Sequence, residues 1–392
     1  MKDIIIIANF VGDLQGTDNN RFPYLACVLS GKANVELVTS SFNHSQKKHR
    51  GELYKYPFDV TLIDEPGYEK NVSLRRFWSH YVWGKNVFKY IKSRKKPDLV
   101  YCAMPSLTAS SLVSDYCKKN NIRFVVDVQD LWPEAFQMVF NIPVVSRIFF
   151  APFNRLANIA YRNADEIVAV SRTYVNRAVS VSQHCKQGTA VFIGTNLDFF
   201  DENVANNPVP EKEMFQLAYC GTLGNSYDLT CVFDALKLLK DDGIDNIKFL
   251  IMGDGLLRQS FENYAKKLNL NVEFTGKLPY AQMCARLASS DAAVNPIVAG
   301  SAASIINKHA DYASAGIPVL NTQESKEYCD LVDEYKMGFN CENGNPMNLA
   351  EKIKILVNDT SLRKMMGKNA RKCAKEKFDR KFTYNFIVDI IL

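Results

Sequence analysis

Short apolar segments of strand length alternate with longer segments of helical pattern, and this alternation limits the possible folds more than any other feature. The apolar segments are mostly continuous, which is typical of parallel strands covered by helices on both faces. Two helices are predicted between them, at Arg21–Ser30 and Ser106–Lys119. The predicted strands are Ile4–Phe10, Val35–Thr39, Leu99–Cys102, Arg123–Val128, Glu166–Ala169, Val191–Ile193, Gln216–Cys220, Lys248–Met252, Asn271–Phe274, Ala292–Asn295 and Pro318–Asn321.

A polar stretch that contains prolines interrupts this alternation near residues 198–212, after which the pattern starts again. The restart predicts two α/β domains, each a doubly wound, Rossmann-like parallel sheet, facing each other across a cleft. We place the first domain at residues 1–197, a linker at 198–211 and the second domain at 212–377. A chain of 392 residues is long enough for two such cores.

Composition excludes several classes of protein. Hydrophobic residues make up 47% of the chain and charged residues 23%, as in ordinary globular proteins. No apolar run reaches the roughly 18 residues of a membrane-spanning helix, and the first residues do not resemble a signal peptide. We therefore expect a cytoplasmic protein. The ten cysteines and five histidines show no metal-finger spacing, so we expect no metal site.

Glycines follow two strands of the second half, at Gly221 and Gly224 and again at Gly253 and Gly255. Ligands of open parallel sheets bind beyond the carboxyl ends of the strands, and glycine there lets the backbone approach a phosphate closely. A plain turn would also favour glycine. The dinucleotide fingerprint Gly-x-Gly-x-x-Gly is absent after Phe10 and after the first of these strands, which disfavours a nicotinamide-dependent dehydrogenase.

The most informative stretch is Asn295–Thr322, in which a strand leads through a loop of small residues into a helix that ends at Gly316. Lys308 and Asp311 are three residues apart and therefore share one face of that helix. A cation and a carboxylate at this place could bind a diphosphate and a ribose diol. The alternative is an exposed ion pair of little energetic consequence.

The pattern Asn-Lys-x-x-Asp-Tyr-x-x-Ala-Gly-x-Pro-Val in this stretch resembles the nucleotide-sugar site of glycosyltransferase family 4, in its bacterial polysaccharide branch. Four further segments resemble motifs of that family in the same order. They are Asp127–Glu134, Asn163–Ser171, Met252–Gly255 and Phe274–Tyr280.

The resemblance implies a GT-B fold and transfer of a sugar, with retention at the anomeric carbon, from a nucleotide diphosphate donor, for which UDP is expected. It implies no metal, no other cofactor and no protein nucleophile. It also implies that a C-terminal helix, 378–392, packs back on the first domain. The donor-binding residues that it implies are Gly16, Gly221, Thr222, Gly253, Gly276, Lys277, Leu278, Gly300, Ser301, Ala302, Ala303, Ser304, Lys308 and Asp311.

The sequence departs from the family at three positions. A glutamate of the family corresponds to Ala303, and the two cations of its phosphate-binding loop correspond to Thr222 and Tyr227. Lys308 is therefore the residue expected to neutralise the diphosphate and so to act in catalysis. On the acceptor side, Asp130 and Glu134 are the candidate catalytic residues.

Residues 75–96 hold eight Lys and Arg and no acidic residue, with aromatic side chains near helical spacing. A basic amphipathic helix with aromatic residues is typical of a membrane surface, although a solvated basic helix is the alternative. We expect a lipid-linked saccharide acceptor, peripheral binding to the inner face of the cell membrane, and no nucleic-acid partner. The residues expected on this acceptor and membrane face are Arg21, Arg75, Arg76, Trp78, Trp83, Lys85 and Lys89.

The preferred function is thus a glycosyltransferase of the hexosyl or N-acetylhexosaminyl type that extends a lipid-linked glycan for a capsule, O-antigen or exopolysaccharide. Two alternatives stay open. One is a sugar-nucleotide epimerase of the same fold, since a fold does not fix a function. The other is a non-catalytic scaffold that binds a nucleotide-sugar.

Overall fold

The computed structural model describes residues 1–14, 20–71, 73–134, 143–300 and 304–392, without the side chains of 143–148. These residues form two compact units, one of Met1–Phe192 with Tyr384–Leu392 and one of Ile193–Thr383. The division thus lies a few residues before the expected boundary at 197. The expected linker contains a helix, Leu197–Asn206, whose first turn is capped by Asn196.

The first unit is built on a seven-stranded sheet, and every neighbouring pair in it is parallel. Its order is β5-β2-β1-β6-β7-β8-β9, and a separate small hairpin is formed by β3 and β4. The strands are β1 (Asp3–Ala8), β2 (Asn34–Ser40), β3 (Phe42–Asn43), β4 (Lys48–His49), β5 (Asp59–Ile63), β6 (Leu99–Met104), β7 (Arg123–Val128), β8 (Glu166–Ala169) and β9 (Thr189–Ala190).

Helices cover this sheet and bury its apolar strands. In β1, residues Ile4–Ile7 are fully buried, which explains the continuous apolar run in the sequence. The end of the chain, Tyr384–Leu392, belongs to this unit, where Tyr384 packs against Tyr24 of the first helix, whereas residues 378–383 of the expected C-terminal helix belong to the second unit. The helices are α1 (Arg21–Ser30), α2 (Leu74–Ser93), α3 (Leu107–Lys119), α4 (Pro143–Asn163), α5 (Arg172–Val179) and, from the end of the chain, Asn385–Ile391.

The second unit has a six-stranded parallel sheet in the order β12-β11-β10-β13-β14-β15. This order reverses direction between β10 and β13, the position at which doubly wound sheets bind ligands. The strands are β10 (Phe215–Cys220), β11 (Ile247–Met252), β12 (Val272–Gly276), β13 (Ala292–Asn295), β14 (Val319–Asn321) and β15 (Gly338–Asn340).

The helices of the second unit follow the strands and close its hydrophobic core, which centres on Phe233 and Phe249. They are α6 (Leu197–Asn206), α7 (Leu229–Asp241), α8 (Arg258–Lys267), α9 (Tyr280–Ala288), α10 (Asn307–Ala315), α11 (Lys326–Tyr335), α12 (Pro346–Asn358), α13 (Thr360–Cys373), the π-helix Ala374–Phe378 and α14 (Arg380–Thr383).

One edge strand of each sheet was not predicted from the sequence. β5 and β15 are outermost strands, and neither is a fully buried apolar run. The predicted strand Val191–Ile193 lies just after the observed edge strand β9. Because an edge strand faces solvent on one side, hydrophobicity is a weaker signal for it than for a central strand.

Candidate functional site

Two loops leave the second sheet where its strand order reverses, one after β10 and one after β13. They pair with each other through an antiparallel bridge between Tyr227 and Ile297. The backbone N–H of Asp228 also donates to the carbonyl of Pro296 at 2.7 Å. The loop pair therefore holds a fixed position at the carboxyl ends of the two strands.

The glycines after β11 are required because the backbone there closely contacts the loop after β10. A Cβ on Gly253 would lie 1.8 Å from the carbonyl oxygen of Gly221, and a Cβ on Gly255 would lie 2.2 Å from that of Leu223. The loops also exchange hydrogen bonds, from Gly221 N–H to Met252 O at 2.9 Å among others. The repeated glycines thus let two successive loops pack backbone to backbone.

Lys308, on α10, directs its ammonium group into the space beside the loop after β10. Its Nζ donates to the hydroxyl of Tyr219 at 2.8 Å and lies 4.3 Å from the centre of that ring. The same nitrogen lies 3.4 Å from the ring centre of Tyr227. A Cβ on Gly221 would lie 2.1 Å from Lys308 Cε, so a larger residue at this position would force the lysine side chain to shift.

The surroundings of Lys308 disfavour its charged form. Burial lowers the pKa of Lys308 to about 7. In the part of the chain that the structure describes, no carboxylate lies within ion-pair distance of this ammonium group. Lys308 and Asp311 therefore do not form the ion pair that the sequence left open, and the partners of Lys308 are two aromatic rings and a hydroxyl.

Asp311 lies one helical turn further along α10, in a separate polar contact. Its Oδ1 accepts from the hydroxyl of Tyr280 at 3.0 Å, and that hydroxyl lies 3.2 Å from Thr195 Oγ1. Burial raises the pKa of Asp311 to about 6, while the hydrogen bond from Tyr280 and the charge of Arg380 act in the opposite direction. Cation and carboxylate thus lie on one helix, as expected, but in different surroundings.

The remaining predicted donor residues occupy neighbouring loops. Gly276 ends β12 at φ +73° and aligns with Met252 across the strand pair. Lys277 is exposed and Leu278 is half-buried just beyond it. The side chain of Thr222 is exposed, and its carbonyl accepts from Tyr219.

The loop before α10 contributes two described residues. The N–H of Gly300 donates to Glu324 Oε2 at 3.1 Å, and Ser304 Oγ donates to Glu327 Oε2 at 3.0 Å. Helix α10 begins at Asn307. The predicted residues Gly16, Ser301, Ala302 and Ala303 lie outside the described residues.

Sequence reasoning missed several residues that shape this site. Tyr219 is the last-but-one residue of a strand, where an aromatic side chain usually indicates core packing, and Tyr280 begins a helix. Asn295, at the end of β13, is fully buried, and its Nδ2 lies within hydrogen-bond distance of Asn321 and Gln323. The repeated Asn and Gln at the ends of β13 and β14 were a usable signal for this polar network.

The two acidic candidates of the first unit are both engaged. Asp130 follows β7 and accepts from Trp132 Nε1 at 3.0 Å, and burial raises the pKa of its carboxyl group. Glu134 accepts from Arg177 Nε at 2.5 Å, in an ion pair. The structure therefore shows each carboxylate with a local partner.

Two residues expected on the acceptor and membrane face lie in the interior. Arg21 is 3% exposed and binds Asp127 through two hydrogen bonds, of 2.8 Å and 3.1 Å. Tyr101 donates to the same carboxylate at 2.8 Å. Trp83 is 1% exposed. Placing Arg21 and Trp83 on that face was wrong, because a cation can be buried when a carboxylate neutralises it, and a tryptophan in an amphipathic helix can face inward.

The other residues expected on this face divide according to their position on α2. Arg75, Lys85 and Lys89 are exposed, and Trp78 is 51% exposed. Arg76 is turned inward, with its guanidinium carbon 4.5 Å from the ring centre of Trp132. Among the described residues, no helix is long and apolar enough to cross a membrane.

Comparison with known proteins finds similarity to glycosyltransferases in the second half of the chain. Residues 200–373 match the family Glycosyl transferases group 1. The probable glycosyltransferase WbjE of Pseudomonas aeruginosa is 25% identical over 243 residues, 59% of each chain. An uncharacterized glycosyltransferase of Methanocaldococcus jannaschii, MJ1178, is 24% identical over 55% of this chain and 56% of its own. The chain thus spans less than two thirds of the length of these curated relatives.

Solved structures are similar over nearly the whole chain. Anabaena HepE, crystallised with UDP, has a TM-score of 0.69 at 17% identity and covers 100% of this chain and 99% of its own. Sucrose-phosphate synthase of Thermosynechococcus elongatus has a TM-score of 0.73 at 15% identity, with 100% and 98% covered. These likenesses show the two-sheet GT-B fold, and residues 200–373 are similar to the group 1 glycosyltransferase family.

Proposed function

We propose that this protein is a retaining glycosyltransferase of family 4 that transfers a hexosyl or N-acetylhexosaminyl group from a UDP-sugar to a lipid-linked glycan. The observation that carries this proposal is Lys308, a partly buried cation at the strand-reversal point of the second sheet that has no anionic partner among the described residues. A cation in this position fits the diphosphate of a sugar donor.

UDP is the proposed nucleotide because HepE, which shares the fold, was crystallised with UDP and with UDP-glucose. In this proposal Lys308 binds the diphosphate and stabilises the charge that develops when the donor C1–O bond breaks. Asp311 binds the ribose diol. The acceptor oxygen bonds to C1 on the face that the diphosphate leaves, and its proton passes to a phosphate oxygen. We propose that no metal ion is required.

The proposed acceptor is a lipid-linked saccharide of capsule, O-antigen or exopolysaccharide synthesis, met at the inner face of the cell membrane. Helix α2 supports this part of the proposal with one exposed stripe. The stripe is apolar at its start, with Leu74 78% exposed and Tyr81 52% exposed, and basic further along, with Lys85, Lys89 and Lys92 exposed. Aromatic and basic residues on one face suit an anionic membrane surface.

The test is a transfer assay with radiolabelled UDP-sugars and N-acetylglucosamine linked to farnesyl diphosphate as acceptor. We expect a labelled lipid product whose new glycosidic bond has the anomeric configuration of the donor, as measured by the NMR coupling constant of its anomeric proton. Chelation with EDTA should leave the rate unchanged. An inverted product, or conversion of the UDP-sugar into its epimer without transfer, would contradict the proposal.

A non-catalytic nucleotide-sugar-binding protein is the second candidate. It is favoured by Thr222 and Tyr227, which bring no positive charge to the loop after β10. This candidate predicts that UDP-sugars bind without transfer and without release of UDP, even when the acceptor is saturating. The same assay, with UDP release measured in parallel, separates the two candidates.

A further inference from the structure

A second group of cations lies in the first unit, beyond the carboxyl ends of its strands. We call it the strand-end cluster; its members come from the segments that follow β1, β3, β5 and β7 and from α2, and they are Phe10, His44, Lys47, Tyr68, Arg76 and Trp132. This edge of a doubly wound sheet is where ligands bind.

Two cations of the cluster share one aromatic ring. Lys47 Nζ lies 4.7 Å from the ring centre of Tyr68, and the guanidinium carbon of Arg76 lies 5.6 Å from the same centre. Arg76 also lies 5.7 Å from the ring centre of Phe10. Two positive charges are thus held together by aromatic faces rather than by acidic side chains.

The hydrogen bonds of these cations leave donors unused. Lys47 Nζ donates to Asn71 Oδ1 at 2.5 Å and lies 3.3 Å from His44 Nδ1. Arg76 donates from its Nη1 to the carbonyl of Asn71 at 2.8 Å, while its buried Nε has no partner among the described residues. In the described ranges neither cation has a carboxylate within ion-pair distance.

The nearby carboxylates are committed elsewhere. Glu65 is 1% exposed and accepts from Asn9, Ser40 and Ser79 at 2.8, 2.5 and 2.8 Å. Asp130 accepts from the indole of the cluster. Glu65 and Asp130 act on Arg76 only through space, without an ion pair.

The charges of Lys47 and Arg76 also act on two nearby imidazoles. Burial, and then the charges of Lys47 and Arg76, lower the pKa of His44 to about 4. His80, stacked on Trp132, responds in the same way, with its pKa lowered to about 3 by burial first and by Arg76 next. With these pKa values both imidazoles are neutral at pH 7, so the positive charge of the cluster comes from Lys47 and Arg76.

We propose that Lys47 and Arg76 bind the diphosphate of the acceptor and that this acceptor is a lipid diphosphate. The inference deepens the proposed function and rests on it. The lipid is favoured because α2, which carries Arg76 on its inner side, exposes Leu74, Trp78 and Tyr81 on its outer side within two turns. A diphosphate on one side of this helix segment and a hydrocarbon chain or bilayer on the other fit a single amphipathic ligand.

The test uses farnesyl diphosphate as the probe, with farnesol and inorganic pyrophosphate as comparisons, titrated calorimetrically into the full chain. The variants are Arg76→Gln and Lys47→Gln. The matched control is Lys48→Gln, because Lys48 is the exposed neighbour of Lys47 and lies outside the cluster. UDP binding is measured on every variant, since it reports on the second unit.

We expect the wild type to bind farnesyl diphosphate, and each cluster variant to bind it at least about tenfold more weakly, the loss of one charge-assisted hydrogen bond. The Lys48→Gln variant should stay within about twofold of the wild type, and all variants should keep their UDP affinity. Should Arg76→Gln fail to fold, Lys47→Gln decides, because Lys47 is only partly buried.

Unchanged farnesyl diphosphate affinity in both cluster variants would overturn the site. If farnesol binds as tightly as farnesyl diphosphate, the claim that the site recognises a diphosphate is refuted. If pyrophosphate binds as tightly as farnesyl diphosphate, the claim that the ligand is a lipid is refuted. If the wild type does not bind UDP but binds farnesyl diphosphate in a way that depends on Arg76, the proposed function is refuted. The strand-end cluster would then still be a lipid diphosphate site.

Discussion

The ammonium nitrogen of Lys308 lies 3.4 Å from the centre of the Tyr227 ring. The family resemblance leads one to expect a second cation near this place, and the tyrosine changes the electrostatics. A ring attracts the ammonium group, whereas a second cation would repel it. The diphosphate would thus meet a single cation, held by Tyr227 and Tyr219, instead of several.

Replacing Gly221 by alanine should displace that charge. A Cβ at this position would lie 2.1 Å from Lys308 Cε, and the backbone has φ +142°, so both the side chain and the loop must shift. We expect UDP affinity in Gly221→Ala to fall by at least about tenfold, the loss of one charge-assisted contact. Gly224→Ala is the control, because the nearest atom to its added Cβ is 3.8 Å away. Equal UDP affinities of the two variants by calorimetry would refute this role of Gly221.

The affinity for UDP should depend on pH through Lys308. Its pKa in the free protein is about 7, and a bound diphosphate raises that pKa because it favours the ammonium form. UDP affinity should therefore fall by up to about tenfold per pH unit above pH 7, until the pKa of the complex is passed. The phosphate of UDP gains charge as pH rises, which acts in the opposite direction. Calorimetry from pH 6 to pH 9 should show the fall in the wild type and not in Lys308→Gln; a fall of the same size in both would assign it to another group.

The ionised carboxylate of Asp311 should lower the stability of the folded protein. Its pKa is raised from 3.8 to about 6 in the folded protein, so the free energy of unfolding falls as pH rises from about 4 to 6 and stays lower above that range. Asp311→Asn should therefore be more stable than the wild type at pH 7.5, by about 1–3 kcal/mol in the free energy of unfolding, and should unfold at a higher temperature. This difference should vanish near pH 4.

The same variant should lose affinity for UDP and UMP by a similar factor if Asp311 binds ribose. Asp330→Asn is the control, since Asp330 is exposed and forms its ion pair with Lys326 on the same helix. If the variant is stabilised but binds both nucleotides with normal affinity, Asp311 does not bind ribose. The raised pKa of Asp311 would still be supported.

Arg21 should matter for folding rather than for binding. Removing one partner of its buried ion pair with Asp127 leaves an unpaired charge, so Arg21→Ala should lower the free energy of unfolding by about 3–5 kcal/mol. Arg123→Ala should cost less than about 1 kcal/mol, because its 3.8 Å pair with Glu166 is half exposed. Urea unfolding of both variants tests this difference. If both variants lose the same free energy of unfolding, burial does not determine how much the Arg21–Asp127 pair contributes to stability.

The architecture could be predicted from the sequence because central parallel strands are uniformly apolar. The predicted bounds of β7, β8 and β13 agree with the structure, as does α1. The edge strands β5 and β15 were not predicted because one side of each faces solvent or loops. The segment after residue 197 was expected to be a linker from its polar composition, although Asn196 caps a helix there.

The site was only partly predictable. Spacing along one helix placed Lys308 and Asp311 on a common face, but their partners, Tyr219, Tyr227 and Tyr280, come from distant strand ends and are brought together only by the fold. Arg21 shows the opposite error. Its position after a strand suggested a ligand contact, whereas the carboxylate that neutralises it, Asp127, lies more than a hundred residues away.

The most direct test of the central claim compares UDP with UMP on the wild type and on Lys308→Gln, with Lys266→Gln as an exposed-lysine control. The two nucleotides differ only in the β-phosphate. We predict that the wild type and the control prefer UDP over UMP by about 10–100-fold, the range of one charge-assisted hydrogen bond, and that Lys308→Gln loses most of this preference. A Lys308→Gln variant that keeps the full preference for UDP, or a folded wild type that binds neither nucleotide, would contradict the account.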